Sequence, residues 1–425
     1  MPPAISFSAQ ARRTADQPIS HYMKLAIENP ELISLAAGLV DQESLPVADA
    51  GAVLADIFAD SDAARSALQY GTTHGLASLR ERLWHHVAHL DGVPPDTYGL
   101  TAEQVLITTG SQQSLYLLSE ALFDEGDYII TEEPSYFVHH GVLTGHGVRV
   151  LTVPMDDGGM DTAALETLLE QMARDGRLNR LKMIYTCDYF QNPSGRTLAL
   201  ERRPHLAALA RRFSTKHRLL VLEDAAYREL GFAPASLPSV KSFERDNQNV
   251  IYAGTFSKPC APGLKTGYAL LPADLIPILL RLKGIHDFGS ANLNQHILDR
   301  LMASGAYARH VIELKQVYQE KCRTFLAALD ESFGDWPAVR WTRPTGGMFV
   351  WLSMPEGFDT GPDGKLLHAA LEEGMLYVPG EFCHVPDAHG RLRRNEMRLC
   401  YGVETPDRLR EATRRLRRAA NRVRG

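Results

Sequence analysis

Residues 249–271 read NVIYAGTFSKPCAPGLKTGYALL. Both ends, NVIYAG (249–254) and TGYALL (266–271), are short apolar runs of strand length, and a loop rich in Gly, Pro, Ser and Thr separates them. Inside that loop Lys258 and Lys265 stand seven residues apart, with no acidic residue to pair with either. Two ammonium groups at the lip of a buried sheet call for an anion, or a reacting group, from elsewhere.

Working outward, five more runs of the same kind precede this pair: QVLITT (104–109), DYIIT (127–131), VRVLTV (148–153), LKMIYT (181–186) and LLVLED (219–224). Most are separated by amphipathic segments, such as the one from Ser111 with apolar residues at Leu115, Leu118 and Leu122. Strands alternating with helices predict an α/β, three-layer domain around a mainly parallel seven-stranded sheet covered on both faces. A helical region over 273–331 leads to a smaller α/β unit holding WTRPTGGMFVWLSMP (341–355), LYVPG (376–380) and EMRLCYG (396–402). The expected division is an N-terminal arm packing on the small domain (1–45), a large domain (46–290) and a small C-terminal domain (291–425) that includes the interdomain helix.

Composition narrows the function classes. The 425-residue chain is 44% hydrophobic with a formal net charge of −6, which argues against a nucleic-acid partner. The basic tail DRLREATRRLRRAANRVRG (407–425) keeps one apolar face and reads as a terminal helix with a solvated arginine face. No apolar run approaches the roughly 20 residues of a membrane span, and the N-terminus lacks a signal-like core, so a cytoplasmic protein is expected. Five scattered cysteines without CxxC suggest neither disulfides nor zinc, and HExxH is absent, so no metal is expected.

In an open parallel sheet ligands bind beyond the carboxyl ends of the strands. Here QVLITT is followed by Gly110-Ser111-Gln112, DYIIT by Glu132-Glu133-Pro134-Ser135-Tyr136, and LKMIYT by CDYFQNPSG with Asn192. LLVLED ends in Asp224 and continues to Tyr227, while NVIYAG runs on to Thr255, Ser257 and Lys258. Any one of these could be a turn former or a core residue. Together the strand ends offer an anion seat, an aromatic face, an amide, a carboxylate and a lysine. Neither GxGxxG nor GxxxxGK[ST] occurs, so dinucleotide and P-loop readings lose their main support.

These motifs resemble those of the fold-type I pyridoxal-phosphate aminotransferases, class I/II, and within them the kynurenine/2-aminoadipate aminotransferase group. The resemblance is carried by LAAGLVDQESLP (35–46), LQYGTTHGLASLRERL (68–83), TTGSQQSL (108–115), EEPSYF (132–137), FQNPSG (190–195), LEDAAYREL (222–230), TFSKPCAPGLKTGY (255–268), PTGGMFVW (344–351) and MRLCYG (397–402). It implies pyridoxal 5'-phosphate as cofactor and a ping-pong transfer of an amino group from an α-amino acid to a 2-oxo acid.

The same resemblance implies the site residues. Lys258 would be the Schiff-base lysine and proton carrier, with Lys265 nearby to help lower its pKa. Asp224 would face the ring nitrogen, Tyr227 and Asn192 the phenolic oxygen, and Tyr136 the ring face. Ser111, Gln112, Thr255, Ser257 and Lys265 would hold the phosphate, joined by Tyr70 from the neighbouring subunit of a homodimer. Arg398 would clamp the substrate carboxylate, with Asn192, Gly38 and Gly346 lining the substrate pocket.

Three positions depart from the family pattern. Lys265 replaces an arginine and gives up its bidentate fork. Asp188 stands four residues before Asn192 where a proline is usual, and His21 aligns with the substrate-reading arginine of the aminoadipate enzymes, so an acidic substrate side chain is not assumed. Other reactions of the same cofactor, as in a lyase, decarboxylase or cyclase, remain the alternative. A cofactor-binding transcriptional regulator would need a DNA-binding head, and the fold motifs begin by about residue 34.

Overall fold

The computed structural model describes residues 5–387 and 389–424. Near the N-terminus β1 (Ile33–Ser34) follows two helices, Ala9–Arg13 and Pro18–Glu28. The large sheet is built from β2 (Val105–Thr108), β3 (Tyr128–Glu133), β4 (Arg149–Asp156), β5 (Gly159–Met160), β6 (Leu181–Thr186), β7 (Leu220–Asp224), β8 (Val250–Thr255) and β9 (Gly267–Leu270). The smaller elements are β10 (Arg340–Trp341), β11 (Phe349–Ser353), β12 (Met375–Leu376), β13 (Val378–Pro379) and β14 (Glu396–Cys400).

The large sheet has the order β2-β9-β8-β7-β6-β3-β4-β5. Neighbours β8, β7, β6, β3 and β4 pair in parallel, whereas β9 runs antiparallel between β2 and β8. All seven expected strands are present. The eighth, β5, is a two-residue return against β4, too short to show any periodicity. Strands β2, β7, β8 and β9 are buried at every residue, as sequences that are apolar on both faces require.

Because the parallel strands share one direction, their carboxyl ends open on one edge of the sheet. The helix Ser111–Leu122 starts there, directly after β2. Strand β9 can lie against that helix start only because residue 267 is glycine: a Cβ there would stand 2.5 Å from the Ser111 nitrogen and 2.6 Å from the Gly110 carbonyl carbon.

The expected helical region over 273–331 resolves into Leu275–His286, Asn292–Ala303 and the 28-residue Ala306–Phe333. Beyond it, β10-β11-β14-β13 form a four-stranded antiparallel sheet. The N-terminal segment joins this unit, since β1 pairs in parallel with β12 and Cys400 N–H donates to the Leu35 carbonyl at 2.8 Å. The basic tail is the helix Pro406–Arg424, with Leu409, Ala412, Leu416, Ala419 and Ala420 buried. Its arginines pair with Glu372, Glu373 and Asp335. Among the described residues no helix is long and apolar enough to cross a membrane.

Gly267→Ala should therefore force β9 away from the helix start. A loss of about 1–3 kcal/mol in a denaturant titration is expected; an unchanged midpoint would show that the sheet and helix are not held this closely.

Candidate active site

The strand ends surround a cavity of about 390 Å³. Lys258, Lys265 and Arg398 are its cationic lining residues and Asp224 its carboxyl, so the walls carry an excess of positive charge. Tyr136, Asn192, Tyr227, Ser111, Gln112, Thr255, Ser257 and Gly38 also line it.

Lys258 follows β8 on a loop tied by Ser257 N–H to Thr255 Oγ1 at 3.1 Å. Its Nζ donates to the Gly38 carbonyl at 2.7 Å, which links the sheet edge to the N-terminal segment. Loss of hydration pulls its pKa from 10.5 down to about 8; Cys400 works against that fall, while Arg398 and Lys265 act with it. Burial is thus the principal cause, and Lys265 a smaller one than the sequence suggests. Lys265 itself adopts a left-handed backbone, φ 45°, at the end of the 3-10 turn Pro262–Leu264.

Asp224 ends β7 and is buried, which pushes its carboxyl up to about 6. The Tyr185 hydroxyl donates to Oδ2 at 3.0 Å and Ala226 N–H to Oδ1 at 3.2 Å, both opposing that rise. Strand alternation explains the meeting: Tyr185 pairs with Leu222 in register, so Tyr185, Cys187 and Asp224 share the cavity face. Tyr185 is a contact that the sequence reading misses. A tyrosine inside an apolar run reads as core, and only the period-two count from Asp224 marks it.

The helix start at Ser111 has Gly110 as its cap, with φ 74° and no side-chain hydrogen bond. Its leading N–H groups stand at the cavity wall with no side-chain acceptor among the described residues, an arrangement suited to a phosphate. Tyr136 lies beside it, its hydroxyl 3.4 Å from Gln112 Oε1.

Across the cavity, Asn192 Nδ2 lies 3.4 Å from the Tyr227 hydroxyl, and Asn192 Oδ1 accepts from Arg398 Nη1 at 3.0 Å. Arg398, on β14, also donates to the Ala36 carbonyl at 2.7 Å. Its guanidinium sits over the Phe349 ring at 4.6 Å and its Nε has no partner among the described residues. A buried guanidinium with a free donor fits a carboxylate ligand.

Two of the expected residues lie elsewhere. Gly346 is not at the cavity wall: a Cβ there would meet the Phe190 ring at 2.6 Å, so its smallness serves Phe190. Tyr70 is 82% exposed on the surface, edge-on to Phe288 at 5.6 Å. His21 is exposed, while Ile19 and Met23 of the same helix line the cavity together with Leu39, Val40 and Val138.

The family profile for class I and II aminotransferases matches residues 30–416, and the chain belongs to that family. It is a pyridoxal-phosphate-dependent enzyme that moves an amino group from an amino acid to a 2-oxo acid. Among its relatives, the 2-aminoadipate transaminase of Thermus thermophilus is 35% identical over 97% of this chain and 96% of its own. Aromatic-amino-acid aminotransferase 1 of Thermococcus litoralis is 32% identical over 96% and 93%. The structure is similar to that of Pyrococcus horikoshii kynurenine aminotransferase in complex with PMP, with a TM-score of 0.88 and 31% identity over 98% of this chain and 97% of the other. The cavity fits such a cofactor: uncapped N–H groups for its phosphate, a carboxyl for its ring nitrogen and a lysine whose pKa is drawn down to about 8.

Since the free amine is the reacting form, covalent uptake of pyridoxal 5'-phosphate by the apoprotein should accelerate as pH rises and level off above about 8. Stopped-flow absorbance reads that midpoint directly. A midpoint near the ordinary lysine value of 10.5 would contradict the role of burial.

Proposed function

We propose that Lys258 Nζ would hold the cofactor and that its free amine would take the proton from the substrate Cα. The lysine's depressed pKa supports this reading, because an amine half-neutral near pH 8 can both bond and accept a proton. When bound, pyridoxal 5'-phosphate supplies an electron-accepting ring and an aldehyde carbon for the amine. Asp224 would hold a proton on the ring nitrogen, and Tyr227 and Asn192 would donate toward the phenolic oxygen. Tyr136 would cover a ring face. Ser111, Gln112, Thr255, Ser257 and Lys265 would take the phosphate, and Arg398 the substrate carboxylate. Tyr70, exposed and paired with Phe288, suits a contact with the phosphate of a second copy in a homodimer.

The substrate side chain in this reading is apolar. Each cation on the wall already has a task, and Ile19, Met23, Leu39, Val40 and Val138 give the wall an apolar stretch. An acidic side chain would lose its hydration against these groups without gaining a partner. His21, at the position expected to read an acidic group, stands on the outer face of its helix.

Amino donors compared by the loss of the holoenzyme's visible band should favour leucine, methionine and phenylalanine over glutamate and 2-aminoadipate by about tenfold or more in kcat/KM. The reverse order would overturn the apolar assignment. Colour lost to an amino acid must return on adding a 2-oxo acid; release of ammonia or carbon dioxide instead would indicate a lyase or decarboxylase. Lys258→Ala should lower turnover by about 10²–10⁴-fold.

A further inference from the structure

The loop carrying Asn192 is tied down from the face of the sheet turned away from the cavity. Asp188 and Glu223 alternate with the cavity-facing Cys187 and Asp224, so they project to that other face. There Arg203, fully buried, donates Nη1 to the Asp188 carboxylate, Nη2 to the Asp188 carbonyl at 3.1 Å and Nε to the Leu198 carbonyl at 3.1 Å. One guanidinium thereby joins both ends of the stretch 188–198. Glu223 stands 3.6 Å from the same Nη1, its oxygens accepting Val240 and Lys241 N–H at 2.8 and 2.9 Å. Burial pushes both carboxyls up, and the charge of Arg203 opposes that rise at each of them.

Within the stretch, Phe190 takes a left-handed backbone, φ 48°, which is costly for a bulky residue and persists only where surroundings enforce it. Its N–H donates to Thr197 Oγ1 at 3.1 Å. Its ring fills space that Cβ atoms on Gly231 or Gly346 would otherwise enter, at 2.9 and 2.6 Å. Next in sequence, Gln191 Nε2 reaches Glu132 at 2.9 Å and the Pro134 carbonyl at 2.7 Å. Asp188, Phe190 and Gln191 are thus each held from a different direction.

We propose that Asp188 and Phe190 are positioning residues that fix Asn192, so that its one amide can brace Arg398 and meet Tyr227 together. The grip on the substrate carboxylate is then set by an ion pair that touches neither substrate nor cofactor. The inference rests on the reading of Asn192 and Arg398 given above. Asp188 occupies the place where the family pattern has a proline, and the Arg203 pair does the anchoring here.

The test uses the full-length holoenzyme with Asp188→Asn, which keeps size and hydrogen-bonding capacity but removes the charge. KM for the amino donor should rise about 10- to 100-fold, the scale of a misplaced binding group, with kcat changed far less. The Kd of the apoprotein for pyridoxal 5'-phosphate, read by fluorescence quenching, should rise as well. Thr197→Val, which removes only the Phe190 acceptor, should shift KM in the same direction, and it carries the test alone if Asp188→Asn does not fold. A lower Tm with unchanged KM and Kd, or no change in any of the three, overturns the proposal. Asn192→Ala separates the two layers: if it leaves KM unchanged the site reading fails, whereas a raised KM with normal Asp188→Asn and Thr197→Val kinetics sinks only the positioning role.

Discussion

An amine that is pulled out of bulk water with a carbonyl as its acceptor is the constraint on which the site depends. Among the described residues Lys258 donates only to the Gly38 carbonyl, and the nearby charges of Arg398 and Lys265 oppose its ionisation. A lysine in that setting gives up its proton near pH 8, and the free amine is the state nucleophilic and proton-transfer chemistry needs. The same hydrogen bond also joins the sheet edge to the N-terminal segment, whose β1 belongs with the small unit through β12. Reactivity and the assembly of the cavity therefore share one contact.

The sheet separates two electrostatic tasks. On the cavity face, Asp224 is kept as an acceptor by Tyr185 and Ala226. On the opposite face, one residue earlier on the same strand, Glu223 belongs to a buried charged cluster with Arg203 and Asp188. Period-two alternation is what allows adjacent carboxyls to serve these unlike roles without repelling each other across the cavity. Such buried clusters add little net stability, yet breaking one leaves an uncompensated buried charge.

How much was legible in sequence followed from the range of the forces involved. The strands of the large sheet are visible because burial on both faces demands unbroken apolar runs, and the residues after them because parallel strands share an end. Position β5 escapes, since two residues carry no period. Tyr185 is hidden by its apolar context, and Gly346 is misplaced because a glycine that admits a neighbouring ring looks the same as one that admits a ligand. The departure at Asp188 is plain in the sequence. Its partner is not: Arg203 lies fifteen residues on, and only the packed loop brings the two together. The apolar lining supplied by Ile19 and Met23 likewise depends on where the Pro18–Glu28 helix docks.

The most direct measurement is borohydride reduction of the holoenzyme followed by peptide mass mapping. The account predicts a phosphopyridoxyl group on the peptide containing Lys258, at that residue, with Lys265 unmodified. A label on Lys265 or on any other lysine would contradict it.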